Sequence, residues 1–397
     1  MKVFQINSVC GIRSTGRICT DLAEVLRLQG HESIIAYGRE SVPEKYKDIS
    51  YRIGTDFGVK INALKARIFD NEGFNAKRAT RKLINQIKKY DPDVIHLHNL
   101  HGYYLNIEIL FDYLKKSDKP VVWTLHDCWA FTGHCSYFDF VGCDKWQTEC
   151  SKCPQKKGYP TSKCRDRSKK NYFQKKAAFT GVRNLTIVTP SKWLKDMVKL
   201  SFLKEYEVEV IPNGIDLTVF KPSPSDFRER YGIVNKKIIL GVASVWDKRK
   251  GLQDFIELSK ILDDEYKIVL VGLTEKQKKS LPESIIGITK TNNVKELAEI
   301  YTAADVFFNP SVEETMGLTT VEAFACGTPA ITSNKTAVPE VVTENSGIVL
   351  DDLNTEQVVS VISRIKKENF TPIETANCYE KSKQFDKCIK EYEHLIV

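Results

Sequence analysis

The sequence predicts an α/β protein made of two doubly wound domains that face each other across a cleft. Three observations lead there. Short apolar runs alternate with stretches of helical periodicity, as in a parallel sheet covered on both faces. That alternation runs once to about residue 215 and starts again after Pro222. The chain has 397 residues, 42% hydrophobic and 28% charged, enough for roughly two to three ordinary domains.

The first unit opens with the strand MKVFQIN, the glycine-bearing turn CGIRSTG and a helix whose apolar residues Ile18, Leu22, Val25 and Leu26 follow helical spacing until Gly30. ESIIAYG is the next strand. DVIHLHN (93–99), PVVWTLHD (120–127), LTIVTPS (185–191) and VEVIPNG (208–214) continue the series, with Ser191 expected to cap the helix SKWLKDMVKL. Residues 1–215 form the N-terminal domain on this reading. Residues 216–376 form the second, from IILGVAS (238–244), YKIVLVG, DVFFNPS and TPAITSN with helices between them. The segment 377–397 has a helical pattern, with the N-terminal domain as a candidate packing partner. Topology places a ligand where strand C-termini and helix N-termini converge.

Residues 128 to 172 break the rhythm and read as a functional insertion rather than as core. Six of the 11 cysteines lie there: Cys128 first, and then Cys135, Cys143, Cys150, Cys153 and Cys164 crowded together. The spacing C-x7-C-x6-C-x2-C contains one Cys-x-x-Cys knuckle. It allows a structural zinc held by Cys135, Cys143, Cys150 and Cys153, with reduced free thiols as the alternative. An odd count and an opening without the apolar core of a signal peptide argue against a disulfide framework and for a cytoplasmic protein. Of the net charge of +8, residues 144–199 carry 15 Lys and Arg against 4 Asp and Glu, an excess of +11. Anionic lipid, a diphosphate-bearing substrate or nucleic acid could meet such a patch, and so could water alone.

The second half carries the chemistry. Lys248, Arg249, Lys250 and Gly251 follow a strand directly, where cations and a helix start can meet a diphosphate. In EETMGLTTVE, residues 313 to 322, two carboxylates eight residues apart cannot share one face of a continuous helix at about 100° per residue. Glu314 is therefore expected on the loop entering a helix and Glu322 inside it, on either side of the amides of Met316, Gly317, Leu318 and Thr319. Cations, helix-start N–H groups and paired acceptors suit a nucleotide sugar. The helix dipole alone would also favour carboxylates near a helix start.

PSVEETMGLTTVEAFACGTPAI, with IPNGIDLTVFKP, TPSKWLKD, the WDKRKG turn and AADVFFNPS, resembles the family-4 retaining glycosyltransferases of the GT-B fold, which pairs two Rossmann-like domains. HDCWAFTGHCSYFDFVGC is similar to a subgroup associated with bacterial surface polysaccharides: exopolysaccharide, capsule or O-antigen. The resemblance implies a retaining transferase that moves a sugar from a UDP- or GDP-sugar to an acceptor hydroxyl. It implies that Glu314 binds the donor sugar, Glu322 the ribose, and Lys250 the diphosphate, with help from amides 317 to 319 and the turn at Gly16. His126 is implied to reach the donor sugar. Ser244 stands where the family has an arginine, and Arg249 or Arg13 could supply that charge. No metal is then needed for chemistry, so any zinc would be structural. The basic segment would approach the inner face of a membrane and an acceptor linked to lipid diphosphate. A nucleotide-sugar epimerase of the same fold and a zinc-containing nucleic-acid-binding protein are the alternatives. The first lacks extra acid/base carboxylates here, and the second leaves Glu314 and Glu322 without purpose.

Overall fold

A computed structural model describes residues 1–396. The chain divides into two units: Met1–Pro212 together with the segment from Gln384 onward, and Asn213–Lys383.

The first unit holds a seven-stranded parallel sheet in the order β3-β2-β1-β4-β5-β6-β7. The strands are β1 Lys2–Asn7, β2 Glu32–Tyr37, β3 Ser50–Arg52, β4 Val94–Leu97, β5 Val121–Thr124, β6 Leu185–Thr189 and β7 Glu207–Val210. Every residue of β4, β5 and β6 is buried, so these strands read as mostly apolar runs, broken by His96 and threonines, rather than as alternating ones. Phe4 of β1 stands level with Ile34 on one side and Ile95 on the other. Ser191 caps the helix Lys192–Leu200, its hydroxyl accepting from Leu194 N at 3.2 Å. Helix Lys381–Ile396 sets Phe385, Cys388, Ile389 and Tyr392 against Val3, Leu22, Leu26, Val94 and Val122.

The insertion is not a loop laid over the core. It consists mostly of turns and three short 3-10 stretches, Trp129–Phe131, Asp139–Val141 and Lys145–Gln147. Nevertheless Trp129, Phe131, Phe138 and Trp146 are buried in one cluster with Trp123 and Phe179. Its aromatic rings thus supply core area, although the segment reads as a functional insertion rather than as core. Nor is the basic excess of residues 144–199 all surface charge. Lys175 is 1% exposed, with its ammonium donating to Trp129 O at 2.6 Å and lying 3.4 Å from the indole centroid. Burial lowers its pKa to about 7.

The four-thiol zinc set is not assembled. Among the described residues no three His, Cys, Asp or Glu side chains are grouped to hold a metal ion. Cys150 Sγ is turned to accept from Gly133 N at 3.2 Å, and Cys135 and Cys153 hydrogen-bond each other. The Cys135 thiol draws the Cys153 pKa down to about 7.

The second unit holds a six-stranded parallel sheet in the order β10-β9-β8-β11-β12-β13. Its strands are β8 Lys237–Val242, β9 Tyr266–Val271, β10 Ile285–Ile288, β11 Val306–Asn309, β12 Ala330–Ser333 and β13 Gly347–Leu350. Strand order reverses between β1 and β4 in the first sheet and between β8 and β11 in the second. These are the switch points at whose carboxyl ends doubly wound sheets bind ligands.

Candidate functional site

In the second unit the loops after β8 and β11 meet beside the switch point. After β8, Asp247 caps the short turn Lys248–Lys250, its carboxylate accepting from Arg249 N at 3.0 Å and Lys250 N at 3.2 Å. Gly251 closes the turn at φ +72°, and a Cβ there would meet Pro310 Cγ at 2.6 Å. The turn is thus pressed against the segment after β11, to which it is also tied by Val312 N donating to Arg249 O at 2.9 Å. Arg249 is buried, with one guanidinium N–H donating to Glu313 O at 2.6 Å.

Those ties bring Lys250 and Glu314 into direct contact as an ion pair, with side chains 17% and 14% exposed. Burial by itself would raise the Glu314 carboxyl pKa, but Lys250 and Arg249 outweigh it and hold it below its ordinary value. Burial lowers the Lys250 ammonium, against the pull of Glu314. The carboxylate is therefore ionised at neutral pH and faces the Lys250 nitrogen directly. Thr336 fixes the Glu314 backbone, accepting from its N–H at 2.9 Å and donating to its carbonyl at 3.1 Å.

Glu314 lies on the loop, and Glu322 lies inside the helix Leu318–Ala325. Gly317 is the residue before that helix, at φ +85°, a conformation that costs glycine little, and no side chain caps the helix start. Thr320 N is bonded to Gly317 O at 3.0 Å, so the amides of Gly317, Leu318 and Thr319 precede the first bond within the helix. Met316 is buried, and its sulfur accepts from Asn213 N at 3.2 Å. Tyr301 OH donates to Glu322 Oε2 at 3.0 Å, orienting that carboxylate.

Ser244 lines a separate cavity of about 410 Å³ at the ends of β8 and β9, with Trp246, Gly272, Thr274 and Gln277. Of the two arginines considered as a substitute for charge at Ser244, Arg249 adjoins the Lys250–Glu314 pair. Arg13 lies in the other unit and pairs with Glu40 at 2.7 Å. A larger cavity of about 930 Å³ runs between Glu108, Lys115, Lys170 and Phe173, away from all these residues.

In the first unit, Gly16 is not in the turn after β1. The positive-φ residues there are Gly11 and Arg13, and Gly16 sits in the first turn of the helix Arg13–Leu28. Its carbonyl accepts from Gly11 N at 2.9 Å, and a Cβ on Gly16 would lie 3.2 Å from that same nitrogen. Its small size allows turn and helix to close on each other.

His126 follows β5 and belongs to a chain of imidazoles that the sequence reading passed over. Gln5 donates through Nε2 to Cys19 O and to Ser33 Oγ, each at 3.1 Å, which leaves its Oε1 to accept from His98 Nε2 at 3.2 Å. Burial holds His98 well below its ordinary pKa and His126 down to about 4, so both rings are neutral. A neutral His98 that donates through Nε2 accepts through Nδ1, and its partner at 3.2 Å is His126 Nε2. His126 therefore carries its proton on Nε2. Beside it, Asp127 and His101 are paired at 2.7 Å, with Tyr159 OH 3.0 Å from the other nitrogen of His101. The cluster HLHNLH in the sequence was the available signal for His98 and His101.

The family model described as Glycosyltransferase Family 4 matches residues 15–219, and the one described as Glycosyl transferases group 1 matches residues 224–385. The Escherichia coli K12 protein named as a colanic acid biosynthesis glycosyl transferase, WcaC, is 24% identical over 383 residues, covering 93% of this chain and 91% of that one. Sucrose-phosphate synthase from Thermosynechococcus elongatus has a similar structure, with a TM-score of 0.70 at 16% identity over 99% of this chain and 98% of that one. Anabaena HepE in complex with UDP-glucose gives 0.66 at 14% identity, over 98% of each chain. At such identities the structures establish the fold, which is GT-B.

Proposed function

The chain belongs to glycosyltransferase family 4, and we propose that it moves a sugar from a nucleoside diphosphate to a hydroxyl of a saccharide acceptor, with retained configuration. The observation that carries this reading is the Lys250–Glu314 pair next to the uncapped helix start at Gly317–Thr319. A diphosphate gathers negative charge as the glycosidic bond breaks. Lys250, with Arg249 behind it, and the amides of 317 to 319 are fixed in advance where that charge can be met, so little reorganisation accompanies the reaction. Glu314 and Glu322 are acceptors for sugar and ribose hydroxyls respectively.

No carboxylate is assigned the role of nucleophile. The acceptor attacks the face that the diphosphate leaves, and the departing phosphate oxygen takes the acceptor's proton. Cation and amide electrostatics supply the stabilisation that this step needs from the protein. For Gly16 and His126 we propose the roles that the family resemblance gives them, near the diphosphate and at the donor sugar. The WcaC likeness supports an acceptor in surface-polysaccharide synthesis, one carried on lipid diphosphate.

Thermal unfolding in the presence of UDP-, GDP- and ADP-sugars tests the donor directly. One nucleotide series should raise the midpoint by several degrees at saturating ligand, since binding to the native state alone adds about 2.7 kcal/mol at one hundred times Kd. No shift with any of the three would count against the reading.

A further inference from the structure

Helix Asp56–Phe69 is turned the wrong way round for a helix of a globular protein. Ala66 is its one buried residue. Phe57, Ile61, Leu64 and Ile68 are 73%, 37%, 58% and 36% exposed. At about 100° per residue these four fall within roughly 60° of arc, and Ala66 lies opposite them. The helix thus packs through Ala66 and the half-buried Val59, and presents its larger apolar stripe outward. Scattered exposed leucines need no explanation, but an aligned stripe on one helix does.

Charge surrounds the stripe. On the same helix Lys60 and Arg67 flank it on one side and Lys65 on the other, at roughly 70° to 90° from its centre. The following helix, Lys77–Tyr90, carries six Lys and Arg and no acidic residue. Its Lys77, Arg78 and Lys82 line a cavity of about 530 Å³ together with Gly58, Val59 and Asn62 of the first helix. The basic insertion reaches the far end. Lys163 N donates to Arg67 O at 2.7 Å, and the Arg165 guanidinium lies 5.4 Å from the Phe69 ring centroid. Among the described residues, none of Lys60, Lys65, Lys77, Arg78 and Lys82 forms an ion pair with a carboxylate.

We propose that the Asp56–Phe69 helix lies in the surface of an anionic phospholipid bilayer, its stripe among the acyl chains and its flanking cations at the headgroup phosphates. Lysine and arginine stems extend along apolar surface while their charges stay at the polar boundary, so cations on both shoulders of an apolar stripe match that interface. A protein partner or a second copy would be expected to bring acidic groups to the shoulders, and the bilayer supplies negative charge along both at once. The inference is independent of the donor reading, because it concerns a surface and requires no turnover.

Flotation of the full chain with vesicles of phosphatidylglycerol and phosphatidylethanolamine, against vesicles of phosphatidylcholine alone, tests it. The wild type should float with the anionic vesicles and stay behind with the neutral ones. Phe57→Ser with Leu64→Ser, and separately Lys60→Glu with Lys65→Glu, should each lower binding at least tenfold. All four residues are exposed, so the unfolding midpoint should stay within a few degrees of wild type. Absence of wild-type flotation would overturn the proposal, as would serine variants that float like wild type. A concentration-dependent dimer, seen by light scattering and broken by the serine variants without any vesicle binding, would assign the stripe to self-association instead.

Discussion

Replacing Lys250 with alanine should lower kcat by about 10² to 10³, the loss seen when one preorganised donor is removed from developing negative charge. The contact with Glu314 makes a sharper test possible. In the free protein the ammonium is committed to that carboxylate, and an ammonium has three donors to share. Glu314→Gln removes the competing charge and keeps an oxygen acceptor for a sugar hydroxyl. It should therefore lower kcat by orders of magnitude while leaving affinity for the nucleoside diphosphate product unchanged or tighter. Lys250→Ala should weaken both. Calorimetric titration of the two variants with the diphosphate separates these outcomes. Equal weakening in both would mean that the pair is an ion pair of the fold. Lys250→Ala also leaves a buried carboxylate without its partner, which costs about 3–5 kcal/mol when no proton or water compensates. Its unfolding midpoint must be read alongside its rate.

Which strands were legible in the sequence follows from where they lie. The central strands were visible because burial on both faces demands mostly apolar runs, as in the fully buried β4, β5 and β6. The three that the sequence did not reveal, β3, β10 and β13, are all at sheet edges and all partly exposed. A strand with one neighbour needs less apolar surface, and its residues look like loop. The site divides in a similar way. The spacing from Glu314 to Glu322 is a local property and could be read directly. Its supports are not local: Thr336 is 22 residues from Glu314, and Tyr301 is 21 from Glu322. Gln5 and His98 are 93 residues apart and meet because β1 and β4 are neighbours in the sheet. The insertion misled for a further reason. Cysteine, aromatic and basic residues in one irregular segment suggest a binding loop, yet the rings fill core, and Lys175, just beyond the segment, covers one of them.

That imidazole chain has a consequence for stability. His96, His98 and His126 are all pushed down by burial, His96 to about 3 and His126 to about 4, from an ordinary 6.5. A group whose folded pKa is depressed contributes stability that is complete above its unfolded value. That contribution shrinks as the pH falls, because the unfolded chain takes up protons that the folded one refuses. The window here runs from 6.5 down to about 4, where His126 begins to titrate in the folded state. At pH 5.5 each of the three has lost about 1.4 kcal/mol, roughly 4 kcal/mol together, a large share of an ordinary domain's stability. Other shifted groups add smaller contributions. Asp127 and Glu314, both held low, come into play only below their unfolded carboxyl values of 3.8 and 4.5. Lys175 and Cys153, each lowered to about 7, titrate at the upper end of the range and add to the difference between pH 7.5 and 5.5. Glu72, raised by burial, works in the opposite sense and softens the fall. Urea unfolding at pH 7.5 and 5.5 should show the loss. His98→Asn, which cannot titrate, should reduce it by about 1.4 kcal/mol, whatever its effect at pH 7.5. If stability stays flat over this range in the wild type, the three imidazoles are not held neutral in the fold, and the assignment of the His126 proton to Nε2 fails with them.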